Sequence, residues 1–255
     1  MEIHPEIKNQ LLLKSRLGHK TLALLIDPDD DLDQTADLTE YALMQGVELF
    51  FIGGSLVSKG NTEKTTKLVK DLGAPMVVLF PGNEIQVNKH ADAILFMSLI
   101  SGRNPEYLIG KQVATASLIH QLKLEAIPTG YILVESGKLT SAHYISQTFP
   151  VPMDKPDLAA TTALAGKMMG MEVMYLDAGS GAENPISSEM LKSVKDTSRC
   201  LLIAGGGIRD AEQARSSWGA GADIIVVGNG AANDHTILKS IHNVAKELNK
   251  LVPQS

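Results

Sequence analysis

The chain has 255 residues, of which 44% are hydrophobic and 20% are charged, and its formal net charge is −6. This balance is typical of a globular protein with a large core, and the length suits one domain. An acidic chain without a basic run is a poor binder of nucleic acid and of anionic membranes, so an anionic ligand would need a local site.

The cysteine content and the chain start bear on the cellular compartment. Cys200 is the only cysteine, so no intrachain disulfide is possible, which fits a reducing cytoplasm. The first residues lack a basic segment followed by an apolar one, and the apolar runs fall short of the roughly 20 residues that span a bilayer. We therefore expect a cytoplasmic protein with neither a signal peptide nor a transmembrane segment.

Apolar runs of strand length alternate with segments of helical spacing along the whole chain. The predicted strands are Thr21–Ile26, Leu49–Ile52, Met76–Phe80, Ala93–Leu99, Ala126–Val134, Val173–Leu176, Leu201–Ala204 and Asp223–Val227. The predicted helices include Leu32–Gln45, Thr62–Leu72, Pro105–Leu122, Leu158–Met169, Ser188–Ser198, Ala211–Trp218 and Thr236–Leu251. Continuous apolar strands between helices indicate a parallel sheet buried on both faces. Eight such units in one domain, residues 1–255, predict a (β/α)8 TIM barrel.

The loop after strand one is acidic. Asp27, Asp29 and Asp30 follow this strand, and Ser55 follows the neighbouring second strand. Hard oxygen ligands suit Mg²⁺, which typically bridges protein carboxylates and substrate phosphates. A turn with a helix cap is an equally good interpretation of this Asp-rich loop.

Two stretches depart from the regular repeat. Between Phe80 and Ala93 there is room for only a short segment, so the third helix is predicted to be shortened or missing. This stretch is either a trimmed loop or an opened barrel wall that admits a long ligand. The segment Ser141–Pro156 contains three prolines and is predicted to be a long loop over one barrel mouth.

Strand six ends in a distinctive run of small and polar residues. The run reads Tyr175-Leu176-Asp177-Ala178-Gly179-Ser180-Gly181-Ala182. Strand alternation points Tyr175 and Asp177 to the same side, where Asp177 could accept hydrogen bonds from a small polyol or act as a general base. Gly179 and Gly181 would add backbone amides for a phosphate. The alternative interpretation is that Asp177 caps the next helix.

Glycine-rich loops follow the last two strands. They contain Gly205–Gly207 after strand seven and Gly228–Gly230, with Asn229 at its centre, after strand eight. Barrels commonly hold phosphate in these two loops. Glycine lets backbone N–H groups approach the anion, and these amides supply positive charge without Lys or Arg. Matching loops on adjacent strands favour a phosphate site over simple tight turns.

Other chemistries have weaker support. His120, His143, His235 and His242 fall on predicted helices or loops rather than at strand ends, so we interpret them as surface residues. Strand six carries Asp177 where a Schiff-base barrel aldolase would usually carry Lys, which argues against imine chemistry.

These motifs together resemble the geranylgeranylglyceryl phosphate synthase family, which includes the bacterial heptaprenylglyceryl phosphate synthases. The resemblance runs from strand one to strand eight, and the run that begins at Tyr175 is its most specific part. The matching segments are 26–29, 53–55, 80–83, 175–182, 205–208 and 228–229.

The resemblance implies a prenyltransferase that joins sn-glycerol 1-phosphate to an all-trans prenyl diphosphate and releases diphosphate. Carried over by position, Asp27 and Ser55 would bind Mg²⁺, and Asp177 and Tyr175 would be catalytic. The residues that would contact glycerol phosphate are Tyr175, Leu176, Asp177, Ala178, Gly179, Ser180, Gly181, Gly206, Gly207, Gly228 and Asn229. A homo-oligomer with transient membrane contact for its lipid product would also fit this family.

The chain departs from the family at two places. Many members have Glu where this chain has Asp177, and some have Lys just before the Asp-Pro pair, where this chain has Leu25 and Ile26. The second departure favours the branch in which a C20 donor is expected. Candidate residues for the prenyl groove, each of which could instead belong to the barrel core, are Met97, Leu99, Ile100 and Tyr131.

Two alternatives remain open from sequence. The first is a phosphosugar isomerase of amino-acid biosynthesis, in which Asp27 and Glu135 would be the paired acids. The second is a phosphate-binding barrel without catalytic activity. Inhibition by a chelator separates the prenyltransferase from the isomerase, because only the former needs a metal.

Overall fold

Eight parallel strands close into a barrel in chain order, with β8 pairing back to β1, in a computed structural model that describes residues 6–228 and 234–252. The strands are β1 Thr21–Ile26, β2 Leu49–Ile52, β3 Met76–Leu79, β4 Ala93–Leu99, β5 Glu125–Leu133, β6 Val173–Asp177, β7 Leu201–Gly205 and β8 Ile224–Val227. The predicted TIM barrel is confirmed, and the observed strand ends lie within one residue of the predicted ones.

Helices surround the barrel between successive strands. They are α1 Ile7–Arg16, α2 Leu32–Gln45, α3 Thr62–Asp71, α4 Lys111–Leu122, α5 Ser141–Ser146, α6 Pro156–Met168, α7 Ser188–Ser198, α8 Ala211–Gly219 and α9 His235–Lys250. A π-helical turn, Glu106–Gly110, leads into α4. Several helices begin at an Asp, Asn or Ser whose side chain accepts hydrogen bonds from first-turn amides, as Asp31 does for α2 and Ser187 for α7.

Two of these helices were not predicted. α1 precedes the first strand, and its Ile7 and Leu11 are buried with the inward-facing strand residues, so the helix closes the amino-terminal end of the barrel. Glu125 fixes it there by accepting hydrogen bonds from the amides of Ile7 at 2.6 Å and Lys8 at 2.8 Å. α5 lies inside the stretch predicted as a long loop, which is therefore wrong for residues 141–146.

The core has the two layers expected of this fold. Inward-facing side chains fill the barrel, and outward-facing ones pack against the helices. Both sets are apolar, which explains why the strands lack polar alternation. Among the residues described, no helix is both long and apolar enough to cross a bilayer.

The wall between β3 and β4 differs from the rest of the barrel. Only a short 3-10 turn, Glu84–Gln86, lies between these strands, which confirms the predicted shortening of the third helix. The outer face of β4 therefore lacks the cover that a full helix would give, and Ile94 and Phe96 on this face border an open cleft. The interpretation as an opened wall is the one that the structure supports.

Candidate active site

Asp177 is the centre of the polar end of the barrel mouth. It ends β6, is 7% exposed, and its Oδ1 accepts a hydrogen bond from the amide of Gly179 at 2.7 Å. The Tyr131 hydroxyl donates to its Oδ2. Burial raises the pKa of Asp177, and these two hydrogen bonds oppose the shift by stabilising the carboxylate. The helix-cap interpretation is wrong, because Ser187 caps the helix that follows.

Three aromatic rings surround this carboxylate. Phe80 stacks on Tyr175 with ring centroids 5.0 Å apart, and Tyr131 meets Tyr175 edge to face at 5.4 Å. Burial, and then the charge of Asp177, raise the pKa of both tyrosines well above 10, so both phenols stay protonated at neutral pH. Tyr131 is therefore a donor to Asp177. The sequence offered Tyr131 only as a groove candidate, so its contact with Asp177 was missed.

The glycine loops after β6 and β7 approach each other closely. Gly179, Gly181, Gly206 and Gly207 all have φ between +70° and +87°, which disfavours residues with a Cβ. A Cβ on Gly206 would lie 2.8 Å from the backbone of Gly179. Successive backbone groups in such conformations can form an anion-binding concavity.

For the remaining predicted ligands of glycerol phosphate, the structure gives fewer contacts. Gly228 follows β8 and is half-buried, and its nearest neighbour for a Cβ would be Leu25 at 3.7 Å. Asn229 lies outside the described residues. Leu176 and Ala178 point into the outer core, so only their backbone could face a ligand, whereas Ser180 is exposed.

Asp27 and Asp29 have different surroundings. Asp27 is half-buried, and its Oδ2 faces Gly54, where a Cβ would lie 3.3 Å away. Burial raises its pKa. Asp29 instead binds the loop after β2, accepting hydrogen bonds from the amides of Ser58, Lys59 and Gly60 and from the Ser58 hydroxyl. These bonds hold the pKa of Asp29 far below its usual range, so Asp29 is a structural anchor.

Ser55 lies on the loop after β2, directly after Gly54, the residue that Asp27 faces. The loops after β2 and β3 touch here, because a Cβ on Gly82 would lie 2.3 Å from the Gly54 carbonyl oxygen. Gln86 joins them by donating to that carbonyl at 3.0 Å and accepting from the Gly82 amide at 3.3 Å. Sequence reasoning missed Gln86. Within the described ranges, no group of three or more His, Cys, Asp or Glu residues is arranged to hold a metal.

An apolar cleft runs from the barrel mouth through the opened wall. It begins near Ser55, Phe80 and Tyr131, passes the outer face of β4, and reaches α4. Met97, Leu99 and Tyr131 line it, as predicted, but Ile100 does not. Ile100 packs in the outer layer, where a Cβ on either Gly130 or Gly166 would lie 2.8 Å from its Cδ1.

Two further predictions are corrected at α5 and β5. His143 is 5% exposed rather than at the surface, because α5 packs over the barrel mouth; His235 and His242 are half-buried, and His120 is exposed. Glu135 is exposed and accepts a hydrogen bond from the Met153 amide at 3.3 Å. Glu135 is therefore poorly placed to act with Asp27 as an acid pair.

The site thus has a carboxylate with a raised pKa, glycine loops with positive φ angles, a second carboxylate across the mouth and an apolar cleft. Such an arrangement can hold an anion, orient a hydroxyl group and shelter a long apolar chain.

Proteins of known name are similar in sequence to this chain over most of its length. The sequence is 44% identical over 239 residues to geranylgeranylglyceryl phosphate synthase of Spirosoma linguale, covering 93% of this chain and 96% of that protein. A protein of the same name from Methanothermobacter marburgensis is 37% identical over 237 residues, covering 92% and 96%.

Solved structures and a family profile also match most of the chain. The structure of (S)-3-O-geranylgeranylglyceryl phosphate synthase from Thermoplasma acidophilum, in complex with substrate sn-glycerol-1-phosphate, aligns with a TM-score of 0.89 and 28% identity, covering 97% of this chain and 100% of that one. Thiamine phosphate pyrophosphorylase from Pyrococcus furiosus, at a TM-score of 0.54 and 14% identity, covers 92% and 98% and shares the fold alone. The profile of the PcrB family matches residues 15–247, and the chain belongs to the PcrB family.

Proposed function

We propose that the protein is a prenyltransferase that joins sn-glycerol 1-phosphate to an all-trans prenyl diphosphate, with geranylgeranyl diphosphate as the expected donor. The product is a prenylglyceryl phosphate ether, and diphosphate is released. One observation carries this proposal: the apolar cleft and the polar site share Tyr131, which lines the cleft and donates to Asp177. A polar acceptor and a long apolar donor would therefore meet at this residue.

The polar end suits glycerol phosphate. Its phosphate would bind the amides of the glycine loops after β6, β7 and β8, which we assign to residues 179–181, 206–207 and 228–229. Tyr175 fills the space below, since a Cβ on Gly205 would lie 2.6 Å from its hydroxyl oxygen. Anchoring the phosphate in this way leaves the primary hydroxyl to approach Asp177, and holding both reactants in place lowers the entropic part of the barrier.

Asp27 and Ser55 fit a Mg²⁺ ion by the chemistry of their donors. Asp27 supplies a half-buried carboxylate, and Ser55 supplies a hydroxyl on the adjoining loop; Mg²⁺ prefers such oxygen ligands and commonly completes its shell with phosphate and water. When bound, the ion would neutralise negative charge on the diphosphate. Asp29 is not assigned to it, because its oxygens already bind residues 58–60.

The protein's own groups support a simple substitution. The primary hydroxyl oxygen forms a bond to C1 of the prenyl chain, and the bond from C1 to the diphosphate oxygen breaks with its electron pair leaving on diphosphate. Asp177 accepts the hydroxyl proton, and burial makes it a stronger base than an ordinary Asp. Tyr131 and the Gly179 amide hold the carboxylate in position throughout.

The cleft would keep the prenyl chain out of water. Burying each CH2 group contributes about 0.8 kcal/mol, so a C20 chain gains much of its affinity here. Phe96, Met97 and Leu99 would contact it. We further propose that the enzyme works in the cytoplasm as a homo-oligomer and contacts membranes only transiently, when its lipid product leaves.

A transfer assay tests the proposed function. Purified protein is incubated with labelled sn-glycerol 1-phosphate, Mg²⁺ and prenyl diphosphates from C10 to C35, and lipid-soluble product is measured with and without chelator. We expect a chelator-sensitive ether product with a maximum at C20. Absence of product with every donor would contradict the proposal, and chelator-resistant isomerisation of a phosphosugar would favour the alternative enzyme class.

Ligand binding separates the enzyme from an inactive barrel that still binds phosphate. A ligand at 100 times its dissociation constant stabilises a protein by about 2.7 kcal/mol, which a thermal-unfolding experiment detects. Stabilisation by sn-glycerol 1-phosphate without any transfer would support the inactive barrel.

A further inference from the structure

An asparagine at the barrel-mouth end of the apolar cleft takes no part in the chemistry above. Asn83 follows β3, is half-buried and lines the cleft together with Ser55. It directly precedes the 3-10 turn Glu84–Gln86, but its side chain makes no capping hydrogen bond. Asn is favoured at such a position because its side chain can accept a bond from the first turn. Asn83 does not use its side chain in that way.

The side-chain amide of Asn83 has unused hydrogen-bonding groups. Its Oδ1 atom is buried without a partner, and its NH2 group has no partner either among the residues that the structure describes. Polar groups removed from water are nearly always paired, and leaving one unpaired costs stability. Because Oδ1 is buried while the residue lines the cleft, the NH2 group is the end that faces the cleft. A ligand in the cleft can therefore accept a hydrogen bond from it.

The backbone next to Asn83 packs against the loop that carries Ser55. A Cβ on Gly82 would lie 2.6 Å from the Ser55 carbonyl oxygen, so the loops after β2 and β3 are in contact there. The buried side chain of Gln86 joins the two loops by its hydrogen bonds to Gly54 and Gly82. Asn83, the residue after Gly82, is therefore held close to Ser55.

This position suits the diphosphate of the prenyl donor rather than glycerol phosphate. The glycine loops assigned to glycerol phosphate follow β6, β7 and β8, whereas β3 lies opposite β7 in the closed barrel. The proposed Mg²⁺ ligands, Asp27 and Ser55, follow β1 and β2, on the same side as Asn83. The carboxylate of Glu84, the next residue, is paired with Lys111 at 2.8 Å, which offsets its charge. An anion beside Ser55 would therefore find an uncharged donor in Asn83.

We propose that the NH2 group of Asn83 donates a hydrogen bond to the diphosphate of the prenyl donor. This inference rests on the proposed function and adds a donor-binding residue to it. Hydrogen bonds to charged acceptors are stronger than those between neutral groups. This one strengthens as negative charge builds up on the departing diphosphate, so Asn83 contributes to binding of the donor and to its cleavage.

Combining a residue change with a ligand change tests this contact. Dissociation constants are measured with Mg²⁺, and without glycerol phosphate, for geranylgeranyl diphosphate and for geranylgeraniol, which has the same chain but no diphosphate. We expect Asn83→Ala to weaken binding of the diphosphate by about 10-fold and Asn83→Asp by about 100-fold, because a carboxylate repels the anion. Binding of geranylgeraniol should change by less than about 2-fold. Equal changes for the two ligands, or unchanged binding of the diphosphate, would overturn the proposal.

Ile85→Asp is the matched control for added charge. Ile85 lies on the same turn but is 78% exposed, so the new carboxylate would lie in solvent. We expect less than about a 2-fold change in binding of geranylgeranyl diphosphate, and a loss as large as that of Asn83→Asp would overturn the proposal. Asn83→Ala removes no hydrogen bond within the described part of the chain, so its unfolding temperature should match that of the unmodified protein.

The outcome separates this inference from the proposed function. If the unmodified protein makes the ether and Asn83→Ala binds geranylgeranyl diphosphate equally well, the assignment of Asn83 is wrong while the prenyltransferase stands. If the unmodified protein neither binds geranylgeranyl diphosphate nor makes the ether, the proposed function fails and this inference fails with it.

Discussion

Tyr131 on β5 donates its phenolic hydrogen to Oδ2 of Asp177 on β6, at the junction of the apolar cleft and the glycine loops. The strand register brings this about, because Tyr131 pairs with Tyr175 and Leu133 with Asp177. Tyr131 therefore lines the cleft and reaches the Asp177 carboxylate on the neighbouring strand. This contact joins the two halves of the proposed reaction.

Tyr131→Phe removes the donor and keeps the ring. The hydrogen bond from Tyr131 lowers the pKa of Asp177, so its loss raises that pKa further. Because the carboxylate form acts as base, the acidic limb of the kcat/KM profile should move to higher pH. Above that limb kcat should fall by about 10-fold, because the hydrogen bond from Tyr131 no longer holds the carboxylate in position. Tyr107→Phe is the control, since Tyr107 lines the cleft but donates to the Ile145 carbonyl at 3.2 Å. An unmoved acidic limb in Tyr131→Phe would contradict the role of Asp177 as base.

Asp177→Asn tests the base directly. We expect kcat to fall by about 10²-fold or more, because a general base typically contributes this much. Thermal unfolding should change little, since the variant removes a buried charge, its amide oxygen can accept from the Gly179 amide, and its NH2 group can donate to the Tyr131 hydroxyl oxygen. Asp157→Asn, an exposed carboxylate in the first turn of α6, is the control. Turnover near that of the unmodified protein would remove Asp177 from the mechanism.

Asp27 and Asp29 should respond to substitution in opposite ways. Asp27→Asn should abolish metal-dependent transfer with little change in unfolding temperature. Asp29→Asn should destabilise the fold by about 1 kcal/mol, a value reduced because solvent screens this partly exposed group. Equal loss of stability in both variants would contradict the division of roles between them.

The stability difference for Asp29 should depend on pH. Its pKa is lower in the folded protein than in the unfolded chain, so the stabilisation is fully present above the unfolded value of about 3.9. It is then lost as pH falls through the lower folded pKa. Unfolding temperatures of the unmodified protein and Asp29→Asn should thus differ at pH 7 and converge in strong acid. A difference that stays constant with pH would show that another interaction is responsible.

Gly179→Ala tests the contact between the glycine loop after β6, which is proposed to bind phosphate, and Thr140 at the start of α5. The alanine would have to adopt a φ of +87°, and its Cβ would lie 2.4 Å from Thr140 Oγ1. Gly73→Ala is the matched control, because Gly73 has φ of +92° but nothing lies within 4 Å of the added Cβ. Backbone strain alone should cost Gly73→Ala about 1 kcal/mol of unfolding free energy. Gly179→Ala should cost more and weaken binding of glycerol phosphate, and equal costs would show that the Thr140 contact is unimportant.

Thr115→Phe should shorten the cleft. Thr115 lies on α4, lines the cleft and is buried, so a phenyl ring there would occupy space meant for the end of a long prenyl chain. We expect kcat/KM for a C20 donor to fall by at least 10-fold while a C10 donor is hardly affected, because only the longer chain loses burial. Val113→Phe, on the exposed face of the same helix, should change neither. An equal effect on both donors would place the chain elsewhere.

Local sequence pattern was enough to predict the barrel. Each strand is a short apolar run with a clear end, so β1, β2 and β4 begin and end as predicted. The gap after β3 was visible because too few residues separate Phe80 and Ala93 for a helix. α1 was missed because it precedes the strand–helix repeat, and its position depends on contacts with Glu125 that only the closed barrel creates.

The sequence predicted only those site residues that lie at or just after the end of a strand. Asp27, Asp177 and the glycine loops follow apolar runs and could be found in this way. The contact of Tyr131 with Asp177 spans 46 residues and depends on strand register. The role of Asp29 depends on a loop that folds back from residues 58–60, and the burial of His143 depends on how α5 packs. None of these three features follows from the local sequence pattern.

A crystal structure with bound sn-glycerol 1-phosphate tests the central claim most directly. We predict that the phosphate contacts the amides of residues 179–181 and 206–207, that the primary hydroxyl lies within hydrogen-bond distance of Asp177, and that it faces the cleft at Tyr131. A phosphate bound at Asp27 instead, or a primary hydroxyl that points away from both Asp177 and the cleft, would contradict the account.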